Sequence, residues 1–283
     1  MKVEILTLFY GQRHMEMMLK TMVPSLWRPE NIPAMLKDGA DVVHRIYCPP
    51  SDRDTLDIYA TCSEIPVEFN TAILREDHHW SRHEGLYRCL QDQLHRGTLT
   101  VMANCDHVFG AGLWKIVQRT NKGEYVVCGH PRITYERGFQ VIQDFLKSDP
   151  DPDNRHLVAL CLDKLPHHVV LIGKRERNPY WHLMRAGDHW QCFFGEPPPV
   201  CFWSTPDMLT VWHQKTIFGP WEAVDHDLPH YCRHRNRLKI VDDSRDFFWA
   251  EFTSDATYIQ GINTNMDVDT MHYLHTIPLR WYV

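Results

Sequence analysis

The chain has 283 residues, 43% of them hydrophobic, enough to bury one large core or two fused half-domains, and its composition is that of a globular protein rather than a disordered one. A formal net charge of −6 argues against a general affinity for nucleic acid or membrane surfaces, which rests on clustered positive charge. Apolar runs such as His168–Ile172 fall far short of the roughly 20 residues that cross a bilayer, so no membrane span is expected.

The nine cysteines stand singly, with no CxxC pair, which predicts reduced thiols and argues against a structural zinc site. The opening Met1–Tyr10 carries no charged leader, long apolar stretch or cleavage site; it reads as a first buried strand, and the chain as cytoplasmic. Nineteen histidines invite a metal-rich reading, yet most lie on polar segments, where surface or hydrogen-bonded core roles come first.

In chain order, Val3–Phe9 is a short apolar run without helical period, closed by Tyr10-Gly11, as expected of a buried parallel strand. Met15, Met18, Leu19 and Met22 recur at helical spacing, and Pro24 is expected to end that helix. Asp41–Tyr47 reads as a second strand closed by Cys48-Pro49-Pro50, and Ser51-Asp52-Arg53-Asp54 as the capped start of a helix. Ile65–Phe69 gives a third strand, Trp80–Leu94 a helix stopped near Gly97, and Leu99–Ala103 a fourth strand. Glu124–Cys128 reads as a fifth strand; Phe139–Lys147 and Asn154–Leu165 read as helices.

This alternation predicts an α/β fold with a mainly parallel sheet flanked by helices. Ligands then bind beyond the carboxyl ends of the strands, which singles out Phe9-Tyr10-Gly11, Cys48-Pro49-Pro50 and Asn104-Cys105-Asp106-His107. The proline-broken stretch Ser148–Asp153 marks an internal boundary between residues 1–147, read as a nucleotide-sugar-binding half, and residues 148–283, read as an acceptor-binding half fused to it. The second half turns irregular and aromatic, with Trp181, Trp190, Phe193, Phe194, Phe202, Trp203, Trp212, Phe218 and Trp221; these fill a core or line a sugar or base pocket.

A strand ending in Asn104-x-Asp106 sends an amide oxygen and a carboxylate to the same side of the chain, because side chains alternate with period two. Mg²⁺ or Mn²⁺ takes oxygen ligands and keeps positions open for a diphosphate, so this pair is a candidate metal and donor site; capping of the next turn is the alternative for Asp106. In Trp221–Leu228, Asp225 reads either as a helix cap or as a general base toward an acceptor hydroxyl. His272 and His275, three apart, suit one helix face; His272 is a candidate third metal ligand, with ordinary surface histidines as the competing reading. Arg82 and His83, at the start of a helix, are placed to reach the diphosphate or else to lie on a solvated face. Two basic clusters, Lys174–Arg177 and Arg233–Lys239, read first as solvated surface.

Taken in order, the segments Leu6–Gly11, Val23–Leu26, Tyr47 with its following turn, Asp106–Phe109, Asp225–Leu228 and Leu238–Ser244 resemble the GT-A class of glycosyltransferases. The likeness is to a little-described group of family-2-like nucleotide-sugar transferases, and it runs over about 250 residues through short patches. It implies a GT-A-like fold, a nucleotide-sugar donor and a Mn²⁺ or Mg²⁺ cofactor and leaves the donor and the anomeric outcome open; the donor is expected to be UDP-linked. It matches Asn104 and Asp106 to the outer positions of the Asp-x-Asp motif and Asp225 to the catalytic base. Asn104 departs from that motif, where an acidic residue is usual, which implies either a weaker metal site or one that dispenses with metal. The expected reaction is sugar transfer to an acceptor hydroxyl, with donor contacts at Phe9, Tyr10, Gly11, Arg82, Asn104 and Asp106. The acceptor is read as a saccharide or small molecule, with a modified nucleic-acid base as the alternative suggested by Arg233–Lys239. A non-catalytic nucleotide-sugar-binding protein and a metal-dependent nucleotidyltransferase or hydrolase on a similar sheet are the competing functions.

Overall fold

The structure, a computed structural model, describes residues 1–8, 11–71, 89, 92–93, 95–148, 154–164, 181–194, 199–208, 228–253 and 279–282. The described strands are β1 (Lys2–Leu8), β2 (Asp41–Tyr47), β3 (Val67–Asn70), β4 (Leu99–Met102), β5 (His107–Phe109), β6 (Tyr125–Cys128), β7 (Arg132–Thr134), β8 (Trp181–Ala186), β9 (His189–Phe194), β10 (Pro199–Trp203), β11 (Leu238–Val241), β12 (Trp249–Thr253) and β13 (Leu279–Tyr282). The described α-helices are α1 (Gly11–Met17), α2 (Val23–Leu26), α3 (Ile32–Lys37), α4 (Arg53–Cys62), α5 (Leu113–Gln118), α6 (Tyr135–Ser148), α7 (Asn154–Asp163) and α8 (Leu228–His234).

The fold is α/β. Its central sheet has the order β11-β6-β10-β4-β1-β2-β3. The pairs β4-β1, β1-β2, β2-β3 and β6-β11 are parallel, and β10 enters antiparallel between β4 and β6. Alternation along the apolar strands covers both faces: Val3 and Ile5 pack with Met18, Met22, Leu26 and Leu113 on one side. Leu6 and Leu8 pack with Met102, Tyr125, Phe202 and Met208 on the other. Strands from both sides of residue 148 therefore share one sheet. Among the described residues no helix is long and apolar enough to cross a membrane.

A small sheet, β5-β12-β7, stands beside the central one and carries α6 and α7 on Ile133, Phe139, Ile142, Leu157, Val158 and Phe252. Its strands β5 and β7 are three residues long, too short for a periodic signal, and neither was expected from sequence. A third sheet has the order β13-β9-β8.

Pro24 does not end the first helical segment. The chain passes from α1 through a π-helical turn, Met18–Met22, into α2, which ends at Leu26. A proline cannot supply an i→i−4 hydrogen bond, and a widened turn just before it removes the clash its ring would otherwise make. The cysteines whose side chains are described are free thiols, all buried except Cys62.

Candidate functional site

Three parallel neighbours, β4, β1 and β2, end side by side, and the chain leaving each contributes to one crevice. Gly11, the first residue of α1, takes φ = +67°, a left-handed conformation that a side chain would strain. Its backbone N–H donates to Asp52 Oδ2 at 3.0 Å. Asp52 closes the 3₁₀ turn Pro50–Asp52 after β2. It stands at the N-cap position of α4 but makes no side-chain cap there. The capping role expected from sequence thus goes to a different helix: the carboxylate satisfies an orphan N–H at the start of α1, where the helix dipole favours negative charge.

Beneath these turns lies a polar network. Thr7 Oγ1 donates to Ala103 O at 2.6 Å and lies 2.8 Å from His44 Nε2; His44 Nδ1 is 2.8 Å from the Tyr59 hydroxyl. Cys105 Sγ, 2.9 Å from Leu8 O, joins the segment after β4 to the end of β1. Burial pushes the His44 imidazole down to about 3, so it sits neutral in the network.

The segment after β4 is folded back by His107. Asn104 N donates to His107 Nδ1 at 3.2 Å, and His107 N donates to Asn104 O at 3.0 Å. Burial pushes the His107 ring down to about 3, so it is neutral with its proton on Nε2. Asn104 and Asp106 both stand in this turn, beyond the end of β4 at Met102, so the strand alternation expected to send their side chains to one side does not apply to them. The Asn104 Oδ1 atom is buried and has no hydrogen-bond partner among the described residues. The Asp106 side chain remains 26% exposed.

Glu251, on β12, stands in register opposite His107 on β5 and opposite Arg132 on β7. Phe252 N donates to Asp106 O at 2.8 Å, so the strand end carrying Glu251 is fixed against the Asp106 backbone. Glu251 Oε2 lies 2.7 Å from His130 Nε2 and 3.5 Å from Arg132 Nε. The rings of His130 and His107 both meet that of Trp249, the first stacked and the second edge-on, with centroids at 4.2 and 4.3 Å, and Trp249 Nε1 donates to Cys128 O at 3.0 Å.

The two carboxylates differ in ionisation. Desolvation, followed by the neighbouring Glu251 charge, holds Asp106 well above the ordinary carboxylate range. Burial opposes ionisation of Glu251 as well, but Arg132 and His130 outweigh it and hold that group well below its ordinary range. Sequence reading missed Glu251, His130 and Arg132. The available signal was a lone acid in the aromatic run Phe247–Phe252, since a charge in such a run requires partners.

The donor chemistry fits a hard divalent cation. A buried amide oxygen without a partner among the described residues, in the same turn as a carboxylate, is the kind of oxygen ligand such an ion takes. No group of three or more His, Cys, Asp or Glu side chains placed to hold a metal occurs among the described residues. An ion here would therefore draw its remaining ligands from water and phosphate, as Mg²⁺ commonly does.

Of the residues expected from sequence, Gly11, Asn104 and Asp106 come to this one end of the sheet. Phe9, Tyr10, Arg82, His83, Asp225, His272 and His275 lie outside the described residues. The described cations of the 233–239 cluster are engaged locally. Arg237 NH1 donates to Asp207 Oδ2 at 2.7 Å, Arg235 lies 3.7 Å over the Tyr231 ring, and Lys239 Nζ meets Glu124 Oε2 at 2.5 Å.

No protein-family model matches the chain, and no curated protein matches it. Among solved structures, the inositol-1-phosphate CTP transferase of T. maritima is 10% identical with a TM-score of 0.37, the match covering 97% of this chain and 95% of that one. A Bacillus anthracis protein assigned as a glucose-1-phosphate thymidylyltransferase, solved with sucrose, is 9% identical with a TM-score of 0.41, covering 88% of this chain and 89% of that one. At similarities this low, neither protein's activity transfers to this chain.

Proposed function

We propose that the chain is a cation-assisted transferase that takes a sugar from a nucleotide-sugar donor, of UDP type, and passes it to an acceptor hydroxyl. The observation that carries this reading is the buried Asn104 Oδ1, which has no hydrogen-bond partner among the described residues and stands two positions before Asp106 in the turn beyond the central strand β4. The nucleoside is seated at the turns after β1 and β2, including Phe9, Tyr10 and Gly11. Because Asp52 already takes the Gly11 N–H, that turn contributes shape rather than a free donor to the ligand. Asn104 and Asp106, with His272 and Arg82 as further candidates, hold a Mn²⁺ or Mg²⁺ and the diphosphate. A bound cation of this kind would stabilise the charge of the departing nucleoside diphosphate. In the transfer, the bond from the anomeric carbon to the diphosphate oxygen breaks, the acceptor oxygen bonds to that carbon, and the acceptor proton passes to Asp225. Residues 1–147 serve the donor and residues 148–283 the acceptor, a saccharide or small molecule, in a cytoplasmic setting.

Nucleotidyl transfer is the second reading, and the state of Glu251 favours it. The described carboxylate that acts on Asp106 is held ionised and is a weak base. A sugar phosphate attacking a nucleoside triphosphate is already an anion and needs no proton removed, whereas a hydroxyl acceptor does. Two assays separate the readings: release of nucleoside diphosphate from a nucleotide sugar with an acceptor supports the first, and release of pyrophosphate from a nucleoside triphosphate with a sugar phosphate supports the second. Tight binding of the nucleotide sugar with neither product would leave a binding protein and overturn both.

A further inference from the structure

We propose that the cavity between α3 and α5 is a binding site for a neutral saccharide, separate from the crevice at the carboxyl ends of the strands and independent of the transfer reaction proposed for that crevice. The cavity has a volume of about 640 Å³, within the range of about 300 to 1,000 Å³ usual for small-molecule sites. One wall runs from Trp27, at the end of α2, through Pro29, Glu30 and Pro33 to Lys37, the last residue of α3; the other is α5, with Trp114, Lys115 and Gln118. From Lys37 the chain passes to the amino end of β2 at Asp41, so the cavity lies away from the turns that hold Gly11, Asn104 and Asp106.

Hydrogen bonds join the two walls. Asn31 Oδ1 accepts from Leu113 N at 3.0 Å, and Trp114 N donates to Glu30 O at 3.2 Å. Asp38 Oδ2 accepts from Trp114 Nε1 at 2.7 Å and from Gln118 Nε2 at 2.9 Å. Less ordering is then left for a ligand to impose.

The lining selects the ligand. Asp38 takes the Trp114 N–H, so that buried indole offers the cavity apolar surface, and the half-buried Trp27 adds a second indole. Aromatic surface suits the C–H faces of a sugar ring, whose hydroxyls then need polar partners around it. Lys115 is engaged by Asp246 and Gln118 by Asp38, but the exposed Glu30 and Lys37 side chains make no ion pair or hydrogen bond among the described residues. These two stand at opposite ends of α3, whose six residues span about 9 Å. Opposite charges so far apart concentrate no field for an anion or a cation, and they are too widely spaced to pair with both charges of one amino acid. A purely apolar ligand would cover them without giving either a partner. Hydroxyls spread around a saccharide satisfy both, donating to the carboxylate and accepting from the ammonium.

The test is calorimetric titration of the full chain, without nucleotide or metal, with cellotriose, maltotriose and N,N′,N″-triacetylchitotriose. At least one is expected to bind with a Kd of about 10 mM or tighter. Trp27→Ala should weaken that binding by about tenfold or more, and Glu30→Ala combined with Lys37→Ala, both at exposed positions, by about threefold or more. Asp106→Ala should bind the same probe as the parent does. Failure of all three probes to bind overturns the proposal. Affinity within about twofold of the parent in the Glu30 and Lys37 double variant also overturns it, and that variant decides the matter should Trp27→Ala not fold. Loss of binding in Asp106→Ala would place the saccharide in the crevice and overturn it equally.

Discussion

The Asp52 carboxylate accepts the Gly11 N–H at 3.0 Å, so the turns leaving two neighbouring parallel strands are tied to each other at the carboxyl end of the sheet.

Asp52→Ala is expected to loosen this clasp. A charge-assisted hydrogen bond at a half-buried site contributes about 1 to 2 kcal/mol, and the loss should appear as a lower urea midpoint. Nucleotide affinity should fall by about threefold to tenfold through lost preorganisation. Asp52→Asn, which retains an acceptor oxygen, should recover most of both effects. Lower stability with unchanged nucleotide affinity would show that the clasp serves the fold alone.

Three buried imidazoles make the chain acid-sensitive. His44 and His107 are pushed down to about 3, and His130 is lowered as well, in each case chiefly by desolvation. Unfolded, each titrates near 6.5, so the unfolded chain binds protons first as pH falls. The stability they contribute is fully present above about 6.5 and is lost below it, by about 1.4 kcal/mol per pH unit for each histidine. Asp106, raised in the folded state, acts in the opposite sense but is a single group. Urea midpoints between about pH 7.5 and about pH 4.5 should fall steeply, and His44→Gln should flatten the slope by close to one proton. A flat profile would contradict the neutral assignment.

Much of the sheet was legible because β1, β2, β4 and β6 are apolar runs bounded by turn residues, and such runs announce buried strands without reference to the rest of the chain. The position of Asn104-x-Asp106 just beyond β4 was legible for the same reason, although the pair stands in a turn and not on the strand itself. What local pattern could not show is long-range pairing. β10 inserts antiparallel between β4 and β6, and β12 sets Glu251 opposite His107, through contacts that no periodicity encodes. Asp52 was read as a cap for its own helix because capping is a local rule; the tertiary neighbour Gly11 took it instead.

The 233–239 cluster offers a test of the acceptor class. Desolvation opposes ionisation of Asp207, but hydrogen bonds from Tyr231 and Arg237 among others outweigh it and hold the carboxyl down to about 2. Arg237 is therefore spent on the fold. Neutralising Arg235 and Arg237 together should lower stability by about 1 kcal/mol, the scale of a partly exposed ion pair, and leave the salt dependence of acceptor binding unchanged. A loss of up to about two units in the slope of log affinity against log salt would instead mark a polyanionic acceptor.

Within β1 and β2, Glu4 is fully buried and its Oε2 lies 3.2 Å from Arg45 Nε; Arg45 also reaches Glu68 at 2.6 Å. Arg45→Ala leaves a buried carboxylate without its main partner and is expected to cost about 3 to 5 kcal/mol, whereas replacing Glu4 and Arg45 together by Leu and Met should cost far less. Additive losses in that double-mutant cycle, read from denaturant unfolding, would show that the two residues act independently.

The most direct test of the cation seat is calorimetric titration of UDP with and without Mn²⁺ into the parent and Asp106→Ala. Asp106 stands at a strand's end and its side chain is partly exposed, so the variant should keep its fold and its melting temperature within a few degrees. The parent should bind UDP at least about tenfold more tightly with Mn²⁺ than without, and Asp106→Ala should lose that difference. A folded Asp106→Ala that binds UDP with Mn²⁺ as tightly as the parent would contradict the assignment.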